Sequence, residues 1–569
     1  MSGASWCESA RVAVEGVVVD TPGRFPQPAW TSSGAWYTHL SGRMLFAGYA
    51  TVAVAQLVRA LGCGPRGRGF ESRQPPIQDR CQPGRQSSTC PRFHPRPESP
   101  GSNRRCSMSQ SNDAHASPSR RRFLGTTAAA GSIAAGYWIA PASRAADAPT
   151  SANEEIRFAC IGTGGKGQSD SADAGRLGKV VAVADVDANQ LKRAAQAFKD
   201  AKQFSDFRRM LDEMGSSIDA VTVSTPDHTH TVAAAMAMGM GKACFCQKPL
   251  TRTISEARLL GELAREQKVA TQMGNQGTAR DSLRRASAFV QAGELGRVRE
   301  VHVWTNRPVW PQGGGRPPEA KAPPQLDWDL WLGPAPLRPY GIGYHPFRWR
   351  GFWDFGTGAL GDMACHTFNM PFMALNLRDP ASVQAETSGH NRETYPKWSK
   401  IHFEFPKLGD REAVAVSWYD GGKLPEQSLF EGFSGPVKDG KEQPFVTARS
   451  GVLVVGETDS LYAPGDYCEQ GFQLKSGGEP KKHEFVKSPG HFEELVEAIR
   501  GGSPAVSNFP DYAGPLTETI LLGNLAVWAA PEADTQGKKI EWDPVKLVAT
   551  NAPEVESIIR PAYREGWKA

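Results

Sequence analysis

Lysine is missing from the first 107 residues of this 569-residue chain, isoleucine and asparagine occur there once each, and no helical or strand periodicity is sustained. Thirteen arginines and half of the ten cysteines crowd the same stretch. A chain so poor in periodic apolar residues does not bury a core of its own. Within it, Gly69-Phe70-Glu71-Ser72 can be written as GGTTCGAATCC, which looks like the T-arm of a transfer-RNA gene. Residues 1–107 are therefore expected to be a mistranslated or disordered extension, with the working protein starting at Met108. A peptide from this region in purified protein would refute the mistranslation.

Charge of one sign is scarce once that segment is set aside. Residues 1–107 hold 13 basic and 6 acidic side chains, and residues 108–146 hold 4 and 1. From Asp147 onward 48 basic groups face 53 acidic ones, so the net charge of +5 belongs to the N-terminal segments. Nothing here argues for a nucleic-acid partner. The five cysteines after residue 150 (Cys160, Cys244, Cys246, Cys365 and Cys468) are scattered and odd in number. They require no disulfide framework, and no metal site is expected from their spacing. Cys244 and Cys246 read as alternate thiols on a buried strand.

Long apolar runs are missing too. The mild one from Gly125 to Ile139 is fifteen residues of Ala/Gly-rich sequence, short of the roughly 20 that a spanning helix needs, so no stable membrane insertion is expected. It follows Ser119-Arg120-Arg121-Arg122-Phe123-Leu124 and precedes a small-residue stretch, Ala140 to Ala148. Residues 108–148 thus resemble a twin-arginine (Tat) export signal, which implies export of a folded protein to the periplasm.

What is present starts at Glu154. An apolar run, Ile156 to Ile161, ends in Gly162-x-Gly164-x-x-Gly167, and a second run, Val180 to Ala184, is closed by Asp185. Glycines at this spacing make a tight turn and admit a pyrophosphate to the backbone, with Gly165 and Lys166 inside the turn. Asp185 lies 18 positions after the last glycine, where a carboxylate takes ribose hydroxyls and repels a 2′-phosphate. NAD is favoured over NADP.

A helix (Asn189 to Lys199) precedes Phe204-Ser205-Asp206-Phe207, and another carries Met210 to Met214. A buried strand, Ala220 to Val223, ends in STPDHTH (Ser224 to His230), and Ala243-Cys244-Phe245-Cys246 ends in Gln247-Lys248-Pro249. Strand ends on one edge of a doubly wound sheet line the ligand crevice, so Thr225, Pro226, His230 and Lys248 should converge on the nicotinamide. Ser224, Gln247 and Asn275 complete the expected cofactor contacts.

Farther on, WRGFWDFGTGALGDMACHTFN (Trp349 to Asn369) carries Asp362 and His366 behind four glycines. If Gly361 onward is helical, the two share one face, about 5–6 Å between β-carbons. A carboxylate and an imidazole so placed can hold and deprotonate a hydroxyl. A buried cap and a satisfied core histidine remain the alternative.

Together, GxGxxG, Asp185-Val186-Asp187, Thr225-Pro226…His230, Lys248-Pro249 and Gly358-x-x-x-Asp362-x-x-x-His366 resemble the glucose–fructose oxidoreductase / inositol dehydrogenase (Gfo/Idh/MocA) family from Glu154 to the C-terminus. The resemblance implies that Lys248 contacts substrate and nicotinamide and that Asp362 and His366 are catalytic. Gln247 stands where the family usually has Glu, which removes a charge beside Lys248.

The implied architecture is α/β: a Rossmann doubly wound parallel sheet over 154–276, then an α+β domain with a mainly antiparallel open sheet over 277–540. Residues 541–569 should pack back. Strands are expected at Val298 to Trp304, Ser382 to Thr387, Lys400 to Phe405, Ala413 to Trp418, Gly451 to Val455 and Gly471 to Leu474. Helices are expected at Ile254 to Gln267, Ser282 to Ala292, Phe492 to Ile499 and Gly514 to Ala530. In the family the open face of the second sheet makes the subunit interface, so a homodimer or homotetramer is expected.

Eight aromatics between Trp328 and Trp353 suit a carbohydrate site or, equally, an aromatic core. Tyr344, Arg348 and Trp349, with Lys248, Asp362 and His366, are the substrate candidates, and His345 is a further one for hydroxyls. The expected activity is NAD-dependent oxidation or reduction at a secondary carbon of a sugar, cyclitol or glycoside, with the nucleotide tightly bound. The alternatives are a glycosidase that oxidises its substrate transiently at C3 through bound NAD, and a sugar-sensing or scaffold protein with a vestigial site.

Overall fold

The structure is a computed structural model and describes residues 155–569. The extension expected at 1–107 and the export signal expected at 108–148 lie outside the described residues.

Six strands build the first sheet: β1 Arg157–Ile161, β2 Lys179–Ala184, β3 Lys202–Phe204, β4 Ala220–Val223, β5 Ala243–Cys246 and β6 Thr271–Met273. They run in the order β3-β2-β1-β4-β5-β6, every pair parallel. Helices cover both faces, which is why β4 and β5 are apolar-rich runs buried at every position. The strand order reverses between β1 and β4, and a crevice opens beyond their C-terminal ends. Asp206 caps the helix Phe207–Met214 by accepting from the Arg208 N–H at 2.9 Å.

The second sheet begins at β7 Val298–Trp304 and gathers β8 Ser382–Thr387, β9 Ser399–Phe405 and β10 Val414–Tyr419. A two-residue hairpin, β11 Val437–Lys438 with β12 Lys441–Glu442, stands apart. Then come β13 Gly451–Gly456, β14 Ser460–Pro464, β15 Gln473–Leu474, β16 Ile540–Asp543 and β17 Val548–Ala549. Their order is β15-β14-β13-β7-β10-β9-β8-β16-β17. The pair β7–β10 is parallel and the rest are antiparallel. Buried and exposed positions alternate along β9 and β10, because helix Gly514–Trp528 packs on one face of this sheet.

Three details differ from the expected course. The strand placed at Gly471 to Leu474 shrinks to two residues, while Ser460–Pro464 forms a strand whose Leu461, Tyr462 and Ala463 are buried. The boundary drawn between residues 540 and 541 falls inside β16. Helix His491–Ile499 returns to the first sheet, setting Phe492 against Phe158 and Phe245 at ring distances of 5.8 and 4.9 Å. Burial of that helix's apolar stripe is available on the outer face of β1 and β5, so contiguity in sequence yields to packing. Among the described residues all five cysteines are buried and free, and no helix is long and apolar enough to cross a membrane.

Candidate active site

A cavity of ≈ 400 Å³ opens along the C-terminal edge of the first sheet and is closed from the other side by the second half of the chain. Its floor is the glycine turn. Gly162 has φ +77°, and a Cβ there would lie 2.8 Å from the Ser224 backbone; a Cβ on Gly167 would lie 1.9 Å from the Gly162 carbonyl. Neither position tolerates a side chain, so helix Lys166–Leu177 starts hard against β1 and β4. Gly165, at φ +55°, has nothing within 4 Å of a Cβ and presents bare backbone to the cavity at the helix N-terminus. This cradle fits a dinucleotide pyrophosphate.

Asp185 lines the same cavity just beyond β2. Its Oδ2 accepts from the Thr163 N–H at 2.8 Å and its Oδ1 from the Asp187 N–H at 2.9 Å. Burial raises its pKa, against the pull of those donors. Asp187 in turn meets His345 Nε2 at 3.0 Å, tying the end of β2 to the loop that carries His345. Lys166 sits at the mouth, paired with the buried Asp170. Asp170 also accepts from Ser224 Oγ at 2.7 Å and from Gln247 Nε2 at 2.9 Å. The Gln247 amide thus donates to a carboxylate of the neighbouring helix, while its side-chain Oε1 accepts from the Lys248 N–H at 3.3 Å.

At the opposite end, the chain reverses after β5 through a cis Lys248–Pro249 peptide. Lys248 Nζ donates to the Asp362 carbonyl at 2.7 Å and to its carboxylate at 3.0 Å. Asp362 and His366 lie one turn apart on helix Gly358–Thr367, both facing the cavity. Burial alone would raise the Asp362 pKa, but the Lys248 and Arg350 cations hold it below the ordinary carboxylate value. Burial, and next the charge of Lys248, push His366 well below an ordinary histidine. Its ring packs on Tyr467 at 4.6 Å, and its Nδ1 has no partner among the described residues. Asp362 does not hold His366: its carboxylate turns to Lys248 and to Arg350, whose Nε lies 3.5 Å away.

The cavity gathers Gly162, Gly164, Gly165, Lys166, Asp185, Ser224, Thr225, Pro226, Gln247, Lys248, Trp349, Asp362 and His366 of the expected set. Five others stand off it. Gly167 is the packing contact already described. His230 is buried with its ring nitrogens against the Pro249 and Thr225 carbonyls, 2.9 and 2.8 Å away, bracing the cavity wall from behind. Asn275 is fully buried and accepts from Ser507 Oγ. Tyr344 belongs to an aromatic core with Tyr340, Phe352 and Phe355, where the residue is 1% exposed. Arg348 points to solvent, and Arg350, two residues on, takes the cavity position. Of the aromatic cluster, Trp331 and Trp349 reach the cavity.

Sequence reasoning missed Asp227, Arg307, Arg350, Tyr467 and Trp567. Asp227 was in view inside STPDHTH. Its Oδ2 accepts from Thr357 Oγ1 at 2.7 Å, and burial pushes its carboxyl up to about 7 despite that hydroxyl and Arg350. Tyr467 and Trp567 carry no local signal, since they arrive from segments far along the chain.

Residues 156–275 match an oxidoreductase family's NAD-binding Rossmann fold, and residues 297–435 match the C-terminal alpha/beta domain of the same family. No curated protein matches the chain. Among solved structures, the WlbA dehydrogenase from Chromobacterium violaceum, in complex with NADH and UDP-GlcNAcA, is similar at 16% identity and a TM-score of 0.50, covering 70% of this chain and 99% of that one. The WlbA dehydrogenase from Bordetella pertussis matches at 16% identity and a TM-score of 0.47, over 68% of this chain and 99% of that one. The aldose-aldose oxidoreductase from Caulobacter crescentus, complexed with glycerol, matches at 15% and 0.46, over 68% and 100%. At 16% identity the likeness to the Chromobacterium violaceum structure speaks for the fold alone.

Proposed function

From a chain that belongs to the Gfo/Idh/MocA oxidoreductase family, with an NAD-binding Rossmann half, we propose an enzyme that moves a hydride between NAD and a secondary hydroxyl or ketone of a sugar, cyclitol or glycoside. The observation that carries this reading is the meeting of Lys248, from the end of β5, with Asp362 at 2.7 and 3.0 Å, one helical turn from His366. Two elements 114 residues apart thereby share one cavity with the glycine cradle.

Bound NAD supplies the hydride acceptor or donor at its nicotinamide. Lys248 Nζ keeps a third N–H after its two bonds to Asp362 and hydrogen-bonds the substrate oxygen with it, stabilising the alkoxide charge that develops there. His366, kept neutral by burial and by the Lys248 charge, takes the hydroxyl proton on oxidation and returns it on reduction. Asp362 holds Lys248 in place. Trp349, covered on one side by Arg350 at 4.3 Å, offers an apolar surface to a sugar ring.

The test is a panel of sugars, cyclitols and glycosides, read by absorbance of reduced cofactor. Substrate-dependent reduction supports the reading. Net hydrolysis of a glycoside without reduced cofactor favours the glycosidase. An export signal at 108–148 fits a cofactor loaded before export and retained afterwards; loss of the nucleotide on gel filtration would count against that.

A further inference from the structure

The last residues of the chain fold back onto the cavity. Trp567 forms part of its wall beside Ser205, Asp206 and Phe207, at the end away from Lys248 and His366. Those three follow β3, next to Asp185 at the end of β2, and in a sheet of this order that corner receives the adenosine half of a dinucleotide. The indole is clamped in place. Arg208 covers it with its guanidinium carbon 4.0 Å from the ring centre, Phe207 lies 6.1 Å away, and Arg208 is itself held by Asp206 at 2.7 Å.

The segment leading to Trp567 is pinned at two points. Tyr563 donates its hydroxyl to Glu256 at 2.7 Å. Arg564 donates to the Gly333 and Asp329 carbonyls at 3.0 Å each and pairs with the Asp329 carboxylate. Its own N–H reaches the Pro334 carbonyl at 3.0 Å, and the Trp567 N–H returns to the Arg564 carbonyl at 3.1 Å. Residues 563–567 lie outside both segments that match the oxidoreductase family, whereas the partners they hold, Arg208, Glu256 and Asp329 among them, lie within those segments.

We propose that Trp567 is a cofactor-binding residue for the adenosine half of NAD, and that residues 563–567 are a strap that must come away before the nucleotide leaves. The inference rests on the NAD reading above. With Arg208 over the ring and Phe207 beside it, the part of the indole that lines the cavity is what meets the adenine, and an aromatic–base contact is worth about 5- to 150-fold in affinity.

The test uses the full chain and two variants, Trp567→Ala and a stop codon after Pro561. NADH, ADP-ribose and reduced nicotinamide mononucleotide are titrated, and NADH dissociation is timed by displacement. Trp567→Ala should weaken NADH and ADP-ribose by about 5- to 150-fold, leave the mononucleotide unchanged, and speed NADH release. Trp567→Phe should restore most of the affinity. The truncation should do at least as much as the alanine. ADP-ribose affinity within twofold of the full chain in both variants overturns the proposal, as does equal weakening of the mononucleotide. A full chain that binds neither NADH nor ADP-ribose overturns the NAD reading itself, and the strap with it.

Discussion

Replacing Lys248 by methionine keeps an unbranched side chain, one heavy atom shorter, and removes its charge. The two hydrogen bonds lost are those to the Asp362 carbonyl at 2.7 Å and carboxylate at 3.0 Å, between side chains 18% and 15% exposed. Breaking a fully buried pair by removing one partner costs about 3–5 kcal/mol. Here Arg350 still faces the same carboxylate at 3.5 Å and the cavity admits water, so a stability loss of about 1–3 kcal/mol is expected.

Turnover should fall further, by about 10²- to 10³-fold, the usual cost of one preorganised donor to a developing oxyanion. The pH profile should also move. Lys248 is one cause of the depressed His366 pKa; without it that pKa climbs back toward 6.5, so activity begins to fail at a higher pH on acidification. The assay is kcat/KM against pH at saturating NAD, with NADH binding followed by fluorescence to show an intact cofactor site. A Lys248→Met enzyme that binds NADH and turns over within about threefold of the parent would refute the oxyanion role.

Three other perturbations are as direct. Asp227→Asn should stabilise the protein at pH 8 and make no difference at pH 4. The folded carboxyl titrates at about 7, above its ordinary value, so its ionisation costs stability as pH rises between the two, by about 1.4 kcal/mol per unit at most; thermal unfolding at both pH values checks it, and equal shifts at both refute it. Asp170→Asn leaves Ser224, Gln247 and Lys166 competing for a single acceptor oxygen, and the NADH Kd should rise about tenfold or more; an unchanged titration refutes the hub. Gly167→Ala, whose Cβ would sit 1.9 Å from the Gly162 carbonyl, should abolish NADH binding, whereas Gly165→Ala, with open space around it, should fold and lose affinity through its positive φ and the filled cradle. Equal NADH affinities for the two variants would contradict this account of the turn.

The first half was the more legible in sequence because its signals are local. β1 and β2 are short apolar runs, the glycine turn between them carries its own conformational demands, and helix Ile254–Gln267 starts at Thr253, whose N–H is capped by Glu256. The second sheet was legible where strands alternate, as β9 and β10 do, and obscure where pairing partners lie far off, as for β14, β16 and β17. The four-residue spacing of Asp362 and His366 put them on one helical face in the sequence as in the structure.

Side-chain direction was another matter. Arg348 and Arg350 are equally basic, and the short helical turn at Arg348–Gly351 sends one to solvent and the other to Asp362. Tyr344 is as good a sugar platform as Trp349 until Phe352 and Phe355 close around it. Hydrogen bonds and alternation within a segment act over a few residues, so the sequence alone determined the locally patterned elements, the glycine cradle and the spacing of the candidate acid–base groups. The facing of Asp362 toward Lys248, the hydrogen bond of Gln247 to Asp170, and the return of Trp567 to the cavity depend on segments from about 77 to over 300 residues apart. Packing between them, which no local pattern encodes, decided those.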